Sequence, residues 1–510
     1  AFGADAVCKT QTPSCVLTSV AEKYRQDGLK FVKGGHCAGM AKSSLQIFFD
    51  TTIMPGDFET GAEVTFELDK ENIRRQIAFF AITQTEGPAD TKPLTDQGLF
   101  SWSYNKSTVE VLDILAKNLA DSNPKDRYTL GMSKLDGTGG HEVTPYAVEE
   151  ITKDKLYWIY VYDNNYPNDF KRIVKVTTNG PITDAKTTAS WVYEGAATKP
   201  GEPVSNYKGT PTKNPIRISS LKWYTTLPKK CPFCSTAKTA RSASADSDPY
   251  RFQLDGEGYI LVTRNDGKRI GYDLTTGDQI NEISGAFFNI VSTGFGYNTP
   301  NSFEIPHTSG ATYTIQLANR ESTFGLMANN VDLRISGPGK GFSLDGLDLN
   351  NPGSVSITPA VETQSRQIAQ HDVVTVQFDP DNNSVNFKAS ALDGDTPDIV
   401  MAIDNRSGED FTFEVKDANI SAGTELDVSF DASTQQLTFK DNDSSTNSTY
   451  NVTASRINQD GTTDTTQINH ATSSEGPGGM VDFEDWDGSS ALNVEQISNN
   501  TTIFLPLVVR

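Results

Sequence analysis

Between residues 373 and 454, seven short apolar segments recur at short, fairly regular intervals, in the manner of sandwich strands. They are 373–378, 385–387, 399–403, 411–415, 426–430, 437–439 and 450–454. Apart from 399–403, which is apolar throughout, apolar and polar side chains alternate within them, which places every second residue on one face of a strand. Strands this short bury their apolar face only when two sheets stack. The beat therefore predicts an Ig-like β-sandwich over 356–470. A second all-β sandwich module is predicted over 249–355, where Tyr259–Thr263 and Arg269–Asp273 flank Asn265-Asp266-Gly267, a tight hairpin turn.

At 510 residues the chain exceeds the ~250–300 at which a single core stops growing. Residues 1–230 have a different texture. Apolar spacing near 3.6 predicts helices over 16–27 (stopped by Gly28), 37–49, 69–82 and 107–121, the last ended by Asn123-Pro124. Strands follow at 143–149, 156–162, 172–177 and 189–193. Leu156–Tyr162 is continuously apolar, as a strand buried on both faces would be. Helices first and strands after make an α+β domain. Pro200, Pro203, Pro211 and Pro215 mark an extended connector. Residues 231–248 hold a Cys-Pro-Phe-Cys loop and a Ser/Thr/Ala-rich linker. The tail, 471–510, is Gly/Ser-rich and ends in an apolar run at 503–509. That run is too short to span a bilayer and is expected to complete a sheet in this chain or, by self-assembly, in a neighbouring copy. The expected fold is thus multidomain, an N-terminal α+β domain followed by two all-β sandwich domains.

Lys and Arg number 44 against 65 Asp and Glu, so 44 − 65 = −21. This excess of negative charge argues against nucleic acid and anionic membranes as partners, since phosphate binding needs basic patches. No transmembrane segment and no signal peptide are expected, and the opening Ala-Phe-Gly-Ala-Asp suits a chain already cleaved after a small residue. Asn-x-Ser/Thr triplets at Asn382, Asn405, Asn419, Asn442, Asn447, Asn451, Asn499 and Asn500 are either chance products of an Asn- and Thr-rich chain or glycosylation sites of an exported one.

Five cysteines leave one over. The simplest pairing in an exported protein joins Cys8 to Cys15 and Cys231 to Cys234, leaving Cys37 as a free thiol. Cys231-Pro-Phe-Cys234 also has the spacing of a redox centre. It does not follow a strand and open a helix, which favours a loop staple. It has no nearby ligands to complete a zinc site. Asp379-Pro-Asp381-Asn382-Asn383, Asp393-Gly-Asp395 and Asp345-Gly-Leu-Asp348 are either calcium loops or ordinary polar turns, and none has EF-hand spacing. No cofactor is expected beyond that calcium alternative.

Gly34-Gly35-His36-Cys37-Ala38-Gly39-Met40 puts the free cysteine at the first turn of a helix, where open N–H groups and the dipole favour thiolate. The glycines before it let another backbone approach. Gly139-Gly140-His141-Glu142-Val143 then opens a strand with a histidine, and the strand 156–162 runs into Asp163-Asn164-Asn165-Tyr166-Pro167. A carboxylate or amide at a strand end can hold a neighbouring imidazole in one tautomer. Cys, His, then Asp or Asn is the chain order of a papain-type site. His36, His307, His371 and His470 read as structural, surface or packing residues.

Gly-His-Cys-x-Gly-Met, Gly-His-x-Val-x-x-Tyr and Val-Tyr-Asp-Asn-Asn-Tyr-Pro together resemble the papain-like cysteine peptidase domain of secreted bacterial proteins, over roughly residues 16–195. The resemblance implies a secreted or cell-surface hydrolase acting on acyl groups of a protein or peptide. Cys37 would be nucleophile, His141 base and acid, and Asp163 the orienting residue, with Asn164 as the alternative. An oxyanion hole would use the Cys37 N–H and an upstream side chain. Such enzymes carry Gln about six residues before the cysteine; here Phe31 stands there, and the nearest candidate is Gln26. Residues 264–286 and the terminal Leu-Pro-Leu run are similar to modules of bacterial surface proteins. The alternative reading is a structural or adhesive surface or filament subunit whose papain-like domain is a scaffold without turnover.

Overall fold

The helix Ser19–Val32 runs straight through Gly28, where a stop is expected. Its neighbour explains the glycine: a Cβ there would lie 2.8 Å from Ile82 Cγ2, on the helix Glu71–Ile82 packed against it. Gly28 serves close helix contact rather than termination. In the computed structural model the described residues are 2–496. Not included are 33–34, 87–105, 135–139, 194–206, 235–248, 275–277, 290–301, 320–329, 350–373, 390–397, 405–407, 417–424, 442–448, 472–477 and 489–494, and single positions 51, 69, 85, 213, 228, 257, 382, 485 and 487. The 235–248 linker, the 503–509 run, His371, Asp393 to Asp395 and every quoted triplet asparagine except Asn451 lie outside them. Asn451 sits exposed on the strand Thr449–Ile457.

The N-terminal region combines helices Ser19–Val32, Cys37–Phe49, Glu71–Ile82 and Thr108–Ala120 with an antiparallel sheet. Among the described residues its strand order is Lys208–Gly209, Ala189–Tyr193, Ile173–Thr178, Leu156–Tyr162, Gly140–Thr152, Tyr128–Ser133, Arg217–Ser220. Val111, Leu112 and Leu115 of the last long helix pack on Leu130, Val143, Ile159 and Val174 to form its core. Leu156–Tyr162 is not buried on both faces. Tyr157, Ile159 and Val161 point to the core while the residues between them stay half-exposed, because helices cover one side of the sheet only.

The β-rich remainder departs from the two-module expectation. A division at 355–356 would need few contacts across it, yet Tyr313–Asn319 pairs with Val374–Asp379, and Lys340–Asp348 pairs with Asp398–Ile403. The result is one long two-layer sandwich with a continuous core from Tyr250 to Trp486. Its hairpins alternate between layers. Asn330–Gly337 and Lys340–Asp348 lie in one sheet, Val374–Asp379 and Ser384–Ala389 in the other, and the next two hairpins repeat the exchange.

The two regions meet through a buried polar seam. Arg251 of the sandwich bonds Glu86 at 2.9 Å and Glu304 at 3.2 Å, and Tyr24 donates to Glu86 at 2.6 Å. Asp404 caps the helix start by accepting from Val20 N at 2.8 Å. Disulfides join Cys8 to Cys15 and Cys231 to Cys234. The second holds Phe233 in the seam, edge-on to Phe2 and beside Tyr24, with its carbonyl accepting from Gly339 N at 2.7 Å. A buried plug of this kind matches a loop staple.

Candidate active site around Cys37

Cys37 opens the helix Cys37–Phe49, and His36 precedes it as the N-cap residue with a non-helical backbone. The first amides of a helix have no acceptor four residues back, so the Cys37 end presents N–H groups and a positive dipole. Gly39 has a role the sequence pattern does not disclose. A Cβ there would fall 2.1 Å from the Ile77 carbonyl oxygen, so glycine alone lets this helix press on Glu71–Ile82.

His141 comes from the strand Gly140–Thr152, which starts three residues earlier than its apolar pattern predicts. Pairing of Thr144 with Tyr162 places the next residue, Asp163, beside Val143, on the same face as His141. His141 Nε2 lies 2.9 Å from Asp163 Oδ1. The His141 ring is also hydrogen-bonded to the Cys37 side chain. With Nε2 engaged by the carboxylate, Nδ1 is the nitrogen left for sulfur. Cys37, His141 and Asp163 are all buried.

Burial disfavours a charged His141, but the bonds to Asp163 and Cys37 and their negative charge outweigh it, and its pKa is pushed up to about 10. Burial likewise opposes ionisation of Asp163. Bonds from His141, Tyr193 and the Asn165 amide overcome that and hold its carboxyl below the usual range. Asn165 N donates to Asp163 Oδ1 at 2.9 Å, and the Tyr193 hydroxyl donates to Oδ2. Burial, then the Asp163 charge, pushes the Tyr193 phenol up, which keeps it a donor. His141 thus sits between Asp163 and Cys37 and is bonded to both.

Asn164 is not the residue that orients His141. Its Nδ2 donates to the Cys37 carbonyl at 3.5 Å, and its Oδ1 accepts from Ser44 Oγ at 3.3 Å. Gln26 is exposed on the Ser19–Val32 helix and donates to Glu22 at 2.9 Å. Phe31 faces a gap against the sandwich, with Arg251 and Arg334. Neither is brought to Cys37. His36 is half-buried, and burial lowers its pKa. His307 packs edge-on against Tyr250, in line with a packing role.

Two cross-links fasten the cysteine helix to the histidine strand. Lys42 Nζ bonds Glu142 Oε1 at 2.6 Å, with both side chains essentially inaccessible, and Thr144 Oγ1 donates to the Ala41 carbonyl at 2.9 Å. Thr129 donates its hydroxyl to the same Glu142 oxygen, and Lys42 lies 4.1 Å from the Tyr224 ring centroid. Sequence reasoning missed Lys42, Glu142 and Tyr193. The signal for the first two is a charge close to each site residue, five residues after Cys37 and one after His141. Tyr193 carried no signal beyond ending a strand.

No group of three or more His, Cys, Asp or Glu residues is arranged for a metal among the described residues. Asp345 instead pairs with Lys30, and Asp379 accepts from Asp381 N at 3.0 Å in a local turn. No helix among the described residues is long and apolar enough to cross a membrane. Comparison of the chain with protein-family models, with curated proteins and with solved structures finds no match.

Proposed function

We propose that this chain is a papain-like thiol acyl-transfer enzyme that hydrolyses a peptide or amide bond. The observation that carries the reading is His141 held between Cys37 and Asp163. The Cys37 thiolate attacks the carbonyl carbon, and electrons move onto the oxygen. The N–H groups at the helix start stabilise that oxyanion. His141 then gives its proton to the leaving amine as the C–N bond breaks, leaving a thioester on Cys37. Water, deprotonated by His141, attacks the thioester and frees the acid and the thiol. Asp163 orients the ring and stabilises its charge, and Tyr193 and Asn165 fix Asp163 in turn. The two disulfides support an exported setting, at the cell surface or secreted.

The test is labelling with a thiol-directed peptidase probe, alongside hydrolysis of a peptide library. Labelling that vanishes in Cys37→Ala, with hydrolysis lost in the same variant, is the expected result. A chain that neither labels at Cys37 nor cleaves any peptide refutes it.

A second reading, a structural or adhesive subunit with the α+β region as scaffold, draws on the sandwich. Thr463–Ala471 stands last in its sheet among the described residues. Edge strands accept strands from other chains. Sedimentation of the purified chain decides that reading, and a strictly monomeric particle counts against it.

A further inference from the structure

Beyond Cys37 the same helix borders a cavity of about 190 Å³. Met40, Ser44 and Ile47 follow Cys37 by three, seven and ten residues, so they continue its face down the helix. The facing wall comes from Ile73 and Ile77 of the Glu71–Ile82 helix, with Leu68 before it. The remaining side is the end of the strand that leads into Asp163, contributing Tyr162, Asn164 and Pro167. Asn164 belongs both to this wall and to the reaction centre, since its amide reaches the Cys37 carbonyl and Ser44.

We propose that this cavity is a binding subsite for an apolar side chain of the substrate cleaved at Cys37. The proposal rests on the thiol acyl-transfer reading and names the substrate class for that site. The chemistry of the walls selects the ligand. Met40, Ile47, Leu68, Ile73 and Ile77, with Pro167 and the Tyr162 ring, give the lining its apolar surface, and no Asp, Glu, Lys, Arg or His is part of it. A charged side chain entering it would lose water without gaining a partner. Four of the polar groups are engaged with one another, Ser44 with Asn164 and Thr65 Oγ1 with Tyr162 OH at 3.2 Å, while the Ser43 hydroxyl, a neutral group, is buried without a partner among the described residues. The space suits a large residue, since a dry cavity of about 150 Å³ admits benzene. Leucine, methionine and phenylalanine side chains fit that description.

The experiment uses the full chain and two kinds of reagent. One is iodoacetamide, which needs no subsite. The other is a set of peptidyl acyloxymethyl ketones that differ only in carrying Leu, Phe, Gly, Asp or Lys, with each residue tried at successive positions along the peptide. At one position the Leu and Phe probes should label Cys37 on the order of 10-fold faster than the Gly, Asp and Lys probes. Leu68→Trp, which fills the cavity from a half-buried position, should erase that preference while the iodoacetamide rate stays within ~2-fold of the parent. Thr65→Phe fills it from another side and guards against a folding defect in the first variant. Rates that are equal for all probes, or a preference that persists in both filled variants, overturn the subsite. Failure of the underlying reading is distinct: there neither iodoacetamide nor any probe would show labelling that depends on Cys37.

Discussion

The ammonium of Lys42 and the carboxylate of Glu142 meet at 2.6 Å with almost no solvent access, and they join the helix that starts at Cys37 to the strand that carries His141. Removing one member leaves the other charge buried and alone, a loss of about 3–5 kcal/mol. Lys42→Met or Glu142→Gln should lower denaturation stability by that order. The double variant Lys42→Met/Glu142→Leu should recover most of it, because two apolar side chains leave no stranded charge. Chemical denaturation of the three variants measures this, and a double variant worse than both singles would contradict it.

Asp163 and Tyr193 should separate in severity. Asp163→Asn removes the charge that stabilises protonated His141, and Cys37-dependent hydrolysis should fall ~10³–10⁴-fold. Tyr193→Phe removes one of several bonds to Asp163, and a hydrogen bond to a charged group is worth about 1.5–3 kcal/mol, so the loss should be nearer 10–100-fold. Turnover of one fixed substrate by both variants gives the comparison.

The His141 titration carries a definite sign. Its pKa in the folded chain, about 10, lies above the ordinary 6.5. The stability it contributes is therefore complete below 6.5 and is lost as pH rises through about 10. Asp163 behaves oppositely: its folded pKa lies below 3.8, so its contribution is present above that value and is lost as pH falls through the lowered pKa. NMR of the His141 ring protons should show a midpoint near 10, moving down in Cys37→Ala and in Asp163→Ala. An unmoved midpoint would show that neither group holds the proton.

Two glycines make a contrast. In Gly39→Ala the new carbon meets the Ile77 backbone carbonyl at 2.1 Å, so the two helices must part. In Gly28→Ala it meets the Ile82 side chain at 2.8 Å, and that side chain can turn away. Gly39→Ala should cost ~3 kcal/mol or more and depress Cys37 reactivity, whereas Gly28→Ala should cost ~1 kcal/mol or less. Thermal denaturation of the pair checks the order.

Local patterns were legible where the cause is local. The helix Cys37–Phe49 and the strands Leu156–Tyr162 and Ala189–Tyr193 begin and end where the apolar rhythm places them. The two short-range cysteine pairs were legible from spacing alone. Partners distant in sequence were not. Nothing near Gly28 says that Ile82 will lie against it, and nothing near Lys42 names Glu142 as its counter-ion. The strand Tyr128–Ser133 went unseen because Gly131 and polar residues dilute its alternation; its pairing with Gly140–Thr152 and Arg217–Ser220 forms it. The sandwich's continuity escaped for the same reason, since strand periodicity reports which side a residue faces and not which strand lies beside it.

Alternating hairpins give the sandwich an arithmetic of length. One hairpin in each layer, such as Asp398–Lys416 with Glu425–Asp441, widens each sheet by two strands. At ~4.8 Å per strand, such a unit adds ~10 Å along the body and leaves its cross-section unchanged. Chain length is thereby converted into reach, so gaining or losing whole hairpin pairs would reset how far the body's end stands from Cys37 without disturbing either end.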